Sequence, residues 1–335
     1  IRISTCYFGL VEFSGVVATA LVVGIGGWLV HRDTVSLGTV VAFILLLSSL
    51  FDPVQQLSQL YNGVQSAAAA LHKLFAILDA TPEVDEAIDA VALPIRGDIV
   101  VHGVGFTYAT GTTPALQDID FTVRDGERIA LVGPTGAGKS TLAKLMSRLY
   151  DPTTGFVTYG GVDLRQGTHA SLRERIVVVP QEGFLFNGTI RENVRLARIT
   201  ASDAEVEAAL ERLGVLAHFE RLPAGLDTEV RERGTRLSAG ERQLVALGRA
   251  ALIDPAVLVL DEATSNLDPG TEAEVEAALE RLMQGRTTIV VAHRLSTVQR
   301  ADRIVVVDQA RIAEVGTHNE LVTLGGKYAA LARAW

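Results

Sequence analysis

The run Gly133-Pro134-Thr135-Gly136-Ala137-Gly138-Lys139-Ser140-Thr141 directly follows the apolar stretch Ile129-Ala130-Leu131-Val132. The apolar stretch reads as a buried strand and residues 139–149 as a helix, so the glycines fall on the turn between them. Glycine permits left-handed dihedrals that aim successive N–H groups at an anion, and the helix N-terminus adds its dipole. Lys139 would then reach the β- and γ-phosphates of a nucleotide, and the Ser140 hydroxyl would bind Mg²⁺. A glycine-rich turn without a ligand would not need strand, loop, lysine and hydroxyl in this order.

A second apolar run, Val257-Leu258-Val259-Leu260, ends in Asp261-Glu262. As a strand it would place two carboxylates at the C-terminal edge of a parallel sheet, where open α/β folds bind ligands. Asp261 suits the metal, and Glu262 suits a general base that orients or deprotonates an attacking water. Without the phosphate loop upstream, the pair would read as a solvated start to the next loop.

Positioning such a site takes a strand-rich domain, yet the chain is more apolar than an ordinary cytosolic enzyme. Of its 335 residues 48% are hydrophobic and 21% charged, and the length suggests two domains. The apolar excess lies at the front. Residues 13–30 carry no charge and would span about 27 Å as a helix, close to a bilayer core. His31-Arg32-Asp33 makes a short polar break, and residues 34–51 are again uncharged, so the pattern predicts two membrane helices joined by a tight external turn. A cleavable signal peptide does not fit, because there is no basic start with a small-residue cleavage site and a second apolar run follows directly. The helical pattern continues through Leu71 with Gln55, Gln56, Gln59, Asn62 and Gln65 interleaved, as expected of a second helix that leaves the membrane and extends into the cytosol. An alanine run at 67–70 favours helix and close packing. An acidic, proline-punctuated linker follows. The expected division is a membrane part at 1–80, a linker at 81–94 and an α/β domain at 95–335.

The net charge of −9 argues against a nucleic-acid partner, whose backbone would need clustered Lys and Arg. Cys6 is the single cysteine, so no disulfide framework or zinc cluster forms within the chain. Asp52, followed by Pro53, is the one formally charged residue between Asp33 and Lys73. It reads either as a contact for a cationic substrate or proton, or as a kink facing water.

With these residues in place, the chain resembles the ATP-binding cassette (ABC) family, specifically the C-terminal half of an exporter-type half-transporter. Residues 133–141 match the Walker A motif and 257–262 match Walker B. Leu237-Ser238-Ala239-Gly240-Glu241 matches the family signature with two departures, Ala239 for Gly and Glu241 for the usual Gln. Gln181, after Val177-Val178-Val179-Pro180, stands where the family has its Q-loop glutamine. Ser265-Asn266-Leu267-Asp268 resembles the D-loop. His293, after Thr288-Ile289-Val290-Val291, resembles the switch histidine. Residues 229–234 resemble the exporter X-loop, with Arg231 replacing a glycine.

The resemblance implies an α-helical membrane segment followed by an α/β P-loop nucleotide-binding domain with a helical subdomain. It implies ATP as substrate and Mg²⁺ as cofactor, with catalytic roles for Glu262, His293 and Gln181, and metal contacts from Ser140, Gln181 and Asp261. Tyr108, in Phe106-Thr107-Tyr108, would stack on adenine, although an aromatic near a strand end commonly packs across a sheet. Two cassettes would meet head to tail, so ATP on one subunit is closed over by Ser238 and Gly240 of the other. The family carries six membrane helices per half, so further helices are expected upstream of Ile1. The implied partners are a second half-transporter, the lipid bilayer and a small-molecule or lipid-like substrate. The implied place is a bacterial plasma membrane with the cassette in the cytoplasm. Glu232, in the X-loop, would couple hydrolysis to the membrane helices.

The altered signature favours one half of an asymmetric heterodimer over a symmetric homodimer. A Cβ at 239 crowds the γ-phosphate and a carboxylate at 241 repels it. An ATP-driven exporter leads, with an importer on the same fold and a regulatory, non-hydrolysing half as alternatives. Intact Glu262 and His293 count against the last.

Overall fold

The computed structural model describes residues 2–109, 111–181, 183–231, 234–261, 269–292 and 294–334. The chain forms two compact units, Ile1–Pro82 and Glu83–Trp335.

The first unit is a helical hairpin of α1 (Arg2–His31) and α2 (Leu37–Leu78). Its turn holds Asp33 at φ 52°, and Ser36 caps α2 by accepting from the Thr39 N–H at 3.2 Å. Within α1, Phe13–His31 is long and apolar enough to cross a membrane. The second apolar run is narrower than two full spans required: Leu37–Pro53 falls short of that length, because Asp52, Pro53 and the glutamines after them end the apolar window. The helix itself continues for 42 residues, about 63 Å at the usual rise and twice a bilayer core. A Cβ on Gly26 would stand 2.8 Å from Val40 Cγ1, so a small residue lets the two helices approach.

The second unit holds two sheets. β1 (Ile99–Phe106), β2 (Leu116–Val123), β4 (Thr154–Tyr159) and β5 (Val162–Asp163) form a four-stranded sheet in the order β2-β1-β4-β5. β3 (Arg128–Val132), β6 (Ile176–Val179), β7 (Val257–Asp261), β8 (Thr287–Val291), β9 (Arg303–Asp308) and β10 (Arg311–Gly316) form a six-stranded sheet in the order β10-β9-β3-β8-β7-β6. Its pairs are parallel except for β10 on β9. The parallel strands explain the unbroken apolar runs. Ile129 and Leu131 of β3 enter one core, Ala130 and Val132 the other, and β7 divides its residues in the same way.

One of these cores is shared with a helical layer made of α5 (Ile190–Arg195), α6 (Asp203–Leu213), α7 (Leu216–Glu220), α8 (Ala239–Ile253) and α9 (Pro269–Met283). Ser202 and Thr189 start α6 and α5 through capping boxes with Glu205 and Glu192, each box contributing about 1 kcal/mol. The segment read from the sequence as a linker is packed onto this unit from Glu83 onward. Val91 bridges Gly167, Leu93 is buried, and Arg148 Nη2 donates to the Asp85 carbonyl at 2.7 Å.

Candidate nucleotide site

The phosphate loop leaves β3 at Val132 and enters α3 (Lys139–Met146). Gly133 takes φ 149° and a Cβ there would collide with the Val307 carbonyl. Gly138 takes φ 109°, and a Cβ there would stand 2.6 Å from the Ala115 carbonyl oxygen. Gly138 is also the N-cap of α3, with no side chain to occupy the first N–H groups. Those donors are the ones an anion takes at a helix N-terminus. The loop is closed on itself by the Ala137 N–H donating to the Pro134 carbonyl at 3.2 Å. Pro134, Thr135 and Gly136 are exposed at its tip, Ala137 is buried, and Ser140 is half-buried.

Lys139 is only 5% exposed, and its ammonium donates to the Gly133 carbonyl at 2.9 Å and the Pro134 carbonyl at 3.0 Å. The lysine therefore lies along the loop it would serve, with its charge held over the cradle. Tyr108 lies beside α3: its hydroxyl is 3.1 Å from the Thr141 hydroxyl. Its ring meets Phe106 and Tyr150 edge-on, at centroid distances of 4.8 and 5.5 Å. A cavity of about 360 Å³ opens there, lined by Glu83, Tyr108, Tyr150 and Asp151 among others.

The sheet brings the remaining candidates to the same edge. Leu131 of β3 and Asp261 of β7 both pair with Val291 of β8, and Leu260 pairs with Val179 of β6. The strands therefore end level, and the loop after Val132, Asp261, the segment after Val291 and Gln181 after Pro180 all follow at the C-terminal edge. Gln181, exposed, stands three strands from β3, roughly 14 Å at the usual spacing. Glu262, residues 265–268, His293 and Glu232 lie outside the described residues. By chemistry Ser140, Gln181 and Asp261 are oxygen donors of the kind a hard cation such as Mg²⁺ takes, with water and phosphate oxygens completing its shell, but the sheet leaves Gln181 three strands from the loop that leads to Ser140. Among the described residues no cluster of three His, Cys, Asp or Glu could hold a metal by itself.

The signature is built into a helix start. Ser238 is the N-cap of α8: its hydroxyl accepts from the Glu241 N–H at 3.1 Å, and Glu241 Oε2 accepts from the Ser238 N–H at 2.7 Å. Gly240 is buried, and a Cβ there would stand 2.5 Å from the Cβ of Thr271 in α9. Glu241 thus has a structural task that the sequence reading did not give it. Its carboxylate is turned to the helix start and to His218 Nε2, 3.5 Å from Oε1, so it is engaged within its own subdomain rather than standing free. Arg231, where the resemblance has glycine, takes φ 57°.

Two residues that the sequence reading passed over tie the signature helix to the segment after β6. Arg249 of α8 donates to the carbonyls of Phe184, at 2.7 Å, and Asn193, at 2.8 Å. Burial pushes its guanidinium below the usual arginine value. Asn193 Nδ2 donates in turn to the Phe186 and Thr189 carbonyls, both at 2.9 Å. No linear signal marks them, since their partners lie on other elements.

A strand, a glycine cradle, a buried lysine and a carboxylate at one edge of a parallel sheet define a P-loop nucleotide-binding domain. Residues 116–265 match the ABC transporter family. The chain is 42% identical over 320 residues to the ATP-dependent lipid A-core flippase of Desulfotalea psychrophila, covering 95% of this chain and 56% of the relative. It is 45% identical over 300 residues to the beta-(1→2)glucan export ATP-binding/permease protein NdvA of Bradyrhizobium diazoefficiens, covering 89% of this chain and 50% of the relative. A solved structure of a bacterial Atm1-family ABC exporter with ATP bound superposes with a TM-score of 0.73 at 37% identity, covering 99% of this chain and 57% of that one. The chain belongs to the ABC transporter family, and it spans about half the length of the curated relatives it matches.

Proposed function

We propose that this chain is the C-terminal part of one half of an ATP-driven exporter, and that ATP is hydrolysed where two such cassettes meet. The observation that carries this reading is the buried Lys139 ammonium over a cradle of positive-φ glycines, with Asp261 at the same sheet edge. The loop N–H groups and Lys139 hold the β- and γ-phosphates, while Ser140, Gln181 and Asp261 are the candidates for Mg²⁺. When bound, that ion neutralises charge on the phosphate oxygens. Tyr108 lies against the base, Glu262 orients or deprotonates the attacking water, and His293 contacts the γ-phosphate. Ser238 and Gly240 of a second cassette close over the nucleotide. Closure favours one state of the membrane helices, and loss of the γ-phosphate reverses it.

The second half is a homodimer or heterodimer partner. The substrate is small or lipid-like, as the names of the flippase and glucan exporter suggest, and the membrane is the bacterial plasma membrane with the cassette in the cytoplasm.

The test is nucleotide binding and hydrolysis by the full-length transporter. Glu262→Gln should keep ATP binding while hydrolysis falls roughly 10²- to 10⁴-fold. Lys139→Ala should instead weaken ATP binding itself. Wild-type hydrolysis by Glu262→Gln, or equal ATP affinity in the two variants, would defeat the assignment.

A further inference from the structure

Glu241, the departure within the signature, shares its environment with one histidine. His218 of α7 places Nε2 3.5 Å from Glu241 Oε1 and Nδ1 2.7 Å from Oε2 of Glu274 in α9. Arg221, at the end of α7, stands 3.8 Å from the other Glu274 oxygen. The side chains of His218 and Glu241 are 22% and 17% exposed, so water screens the pair only in part. A neutral imidazole has one N–H and one lone pair, and here the lone pair would face a carboxylate whichever tautomer forms. Only the imidazolium presents positive charge to both carboxylates.

We propose that His218 is a positioning residue for the signature helix. As an imidazolium anchored by Glu274, it covers the Glu241 charge and lets Ser238 and the first turn of α8 receive an anion. Without it, a bare carboxylate three residues from Ser238 opposes the γ-phosphate that this surface is read as meeting. The helix start would then keep its cap but lose its attraction for negative charge. The role rests on the proposed ATPase reading. It also explains how a Glu can stand where the family usually has Gln: the histidine supplies the neutralisation that an amide would not need.

The experiment measures ATP hydrolysis by the full-length transporter across a pH series for wild type, His218→Gln, Glu241→Gln and the double substitution. We expect His218→Gln to raise the KM for ATP about three- to fivefold, the range of a partly exposed charge pair. In the Glu241→Gln background the same substitution should change KM less than about twofold, because no charge remains to be covered. The ratio of wild-type to His218→Gln activity should be largest at acid pH and shrink as the pH rises. His218→Lys, which keeps a cation, should recover KM and lose that pH dependence. Equal losses in both backgrounds, or a ratio that does not move with pH, would reduce His218 to a packing residue and overturn the proposal. A wild type that hydrolyses no ATP would overturn the nucleotide reading as well, so the two failures are distinguishable.

Discussion

Arg249 and Asn193 hold each other through two contacts: the guanidinium donates at 2.8 Å both to the Asn193 backbone carbonyl and to its Oδ1. Because Arg249 also takes the Phe184 carbonyl and Asn193 the Phe186 carbonyl, this pair fixes the signature helix to the stretch that begins at Gln181. Arg249→Met would fill the space but leave two carbonyls unpaired. The expected loss is about 2–4 kcal/mol of stability, read as a drop in the unfolding midpoint of the purified transporter. Arg249→Lys should recover only part of it, since an ammonium cannot reproduce the planar fork.

Gly138 sits at a left-handed dihedral with the Ala115 carbonyl 2.6 Å from where a Cβ would be. Gly138→Ala should therefore cost on the order of 1–3 kcal/mol and displace the loop from the phosphates. Nucleotide titration should show weaker ATP binding than wild type. Unchanged affinity would mean that the loop tolerates a shift the geometry does not allow.

Arg231 is an exposed L-residue at φ 57°. Arg231→Gly removes roughly 1–2 kcal/mol of left-handed strain and adds up to about 1 kcal/mol of unfolded-chain entropy. The expected net result is a modest rise in thermal stability, measured by calorimetry. A fall would show that the Arg231 side chain contributes more than its backbone costs.

Glu205 and Glu320 are held below the usual carboxylate range, chiefly by the backbone N–H groups of Ser202 and Thr317 and then by those residues' side chains. A depressed folded-state value means that their contribution is present above the ordinary carboxylate pKa and is lost as pH falls through the folded value. The melting temperature should therefore decline on acidification below the ordinary range of about 4–5. Glu205→Gln combined with Glu320→Gln, which keep an acceptor but cannot titrate, should flatten that decline. An unchanged acid limb would count against it.

The order of elements around the nucleotide site was legible in the chain because each motif follows an apolar run whose burial on both faces needs no distant information. Ile129 to Val132, Val257 to Asp261 and Thr287 to Val291 became parallel strands for that reason, and level strand ends carried their loops to one edge. The hairpin of apolar helices and the polar continuation of the second one were equally readable, but the second apolar run begins only at Leu37, after the turn and Ser36 cap, and so falls short of a full span.

What the residues around Ser238 do was decided by the tertiary structure. Glu241 reads in the sequence as a misplaced negative charge. Folded, it is the third residue of a helix whose N-cap it completes, and its other oxygen faces a histidine 23 positions earlier. That neighbour is brought in by the common core in which Phe219 of α7, Leu244 of α8 and Val275 of α9 are all buried. A neighbour that distant along the chain leaves no trace in spacing or periodicity, because only the shared core determines which side chains meet.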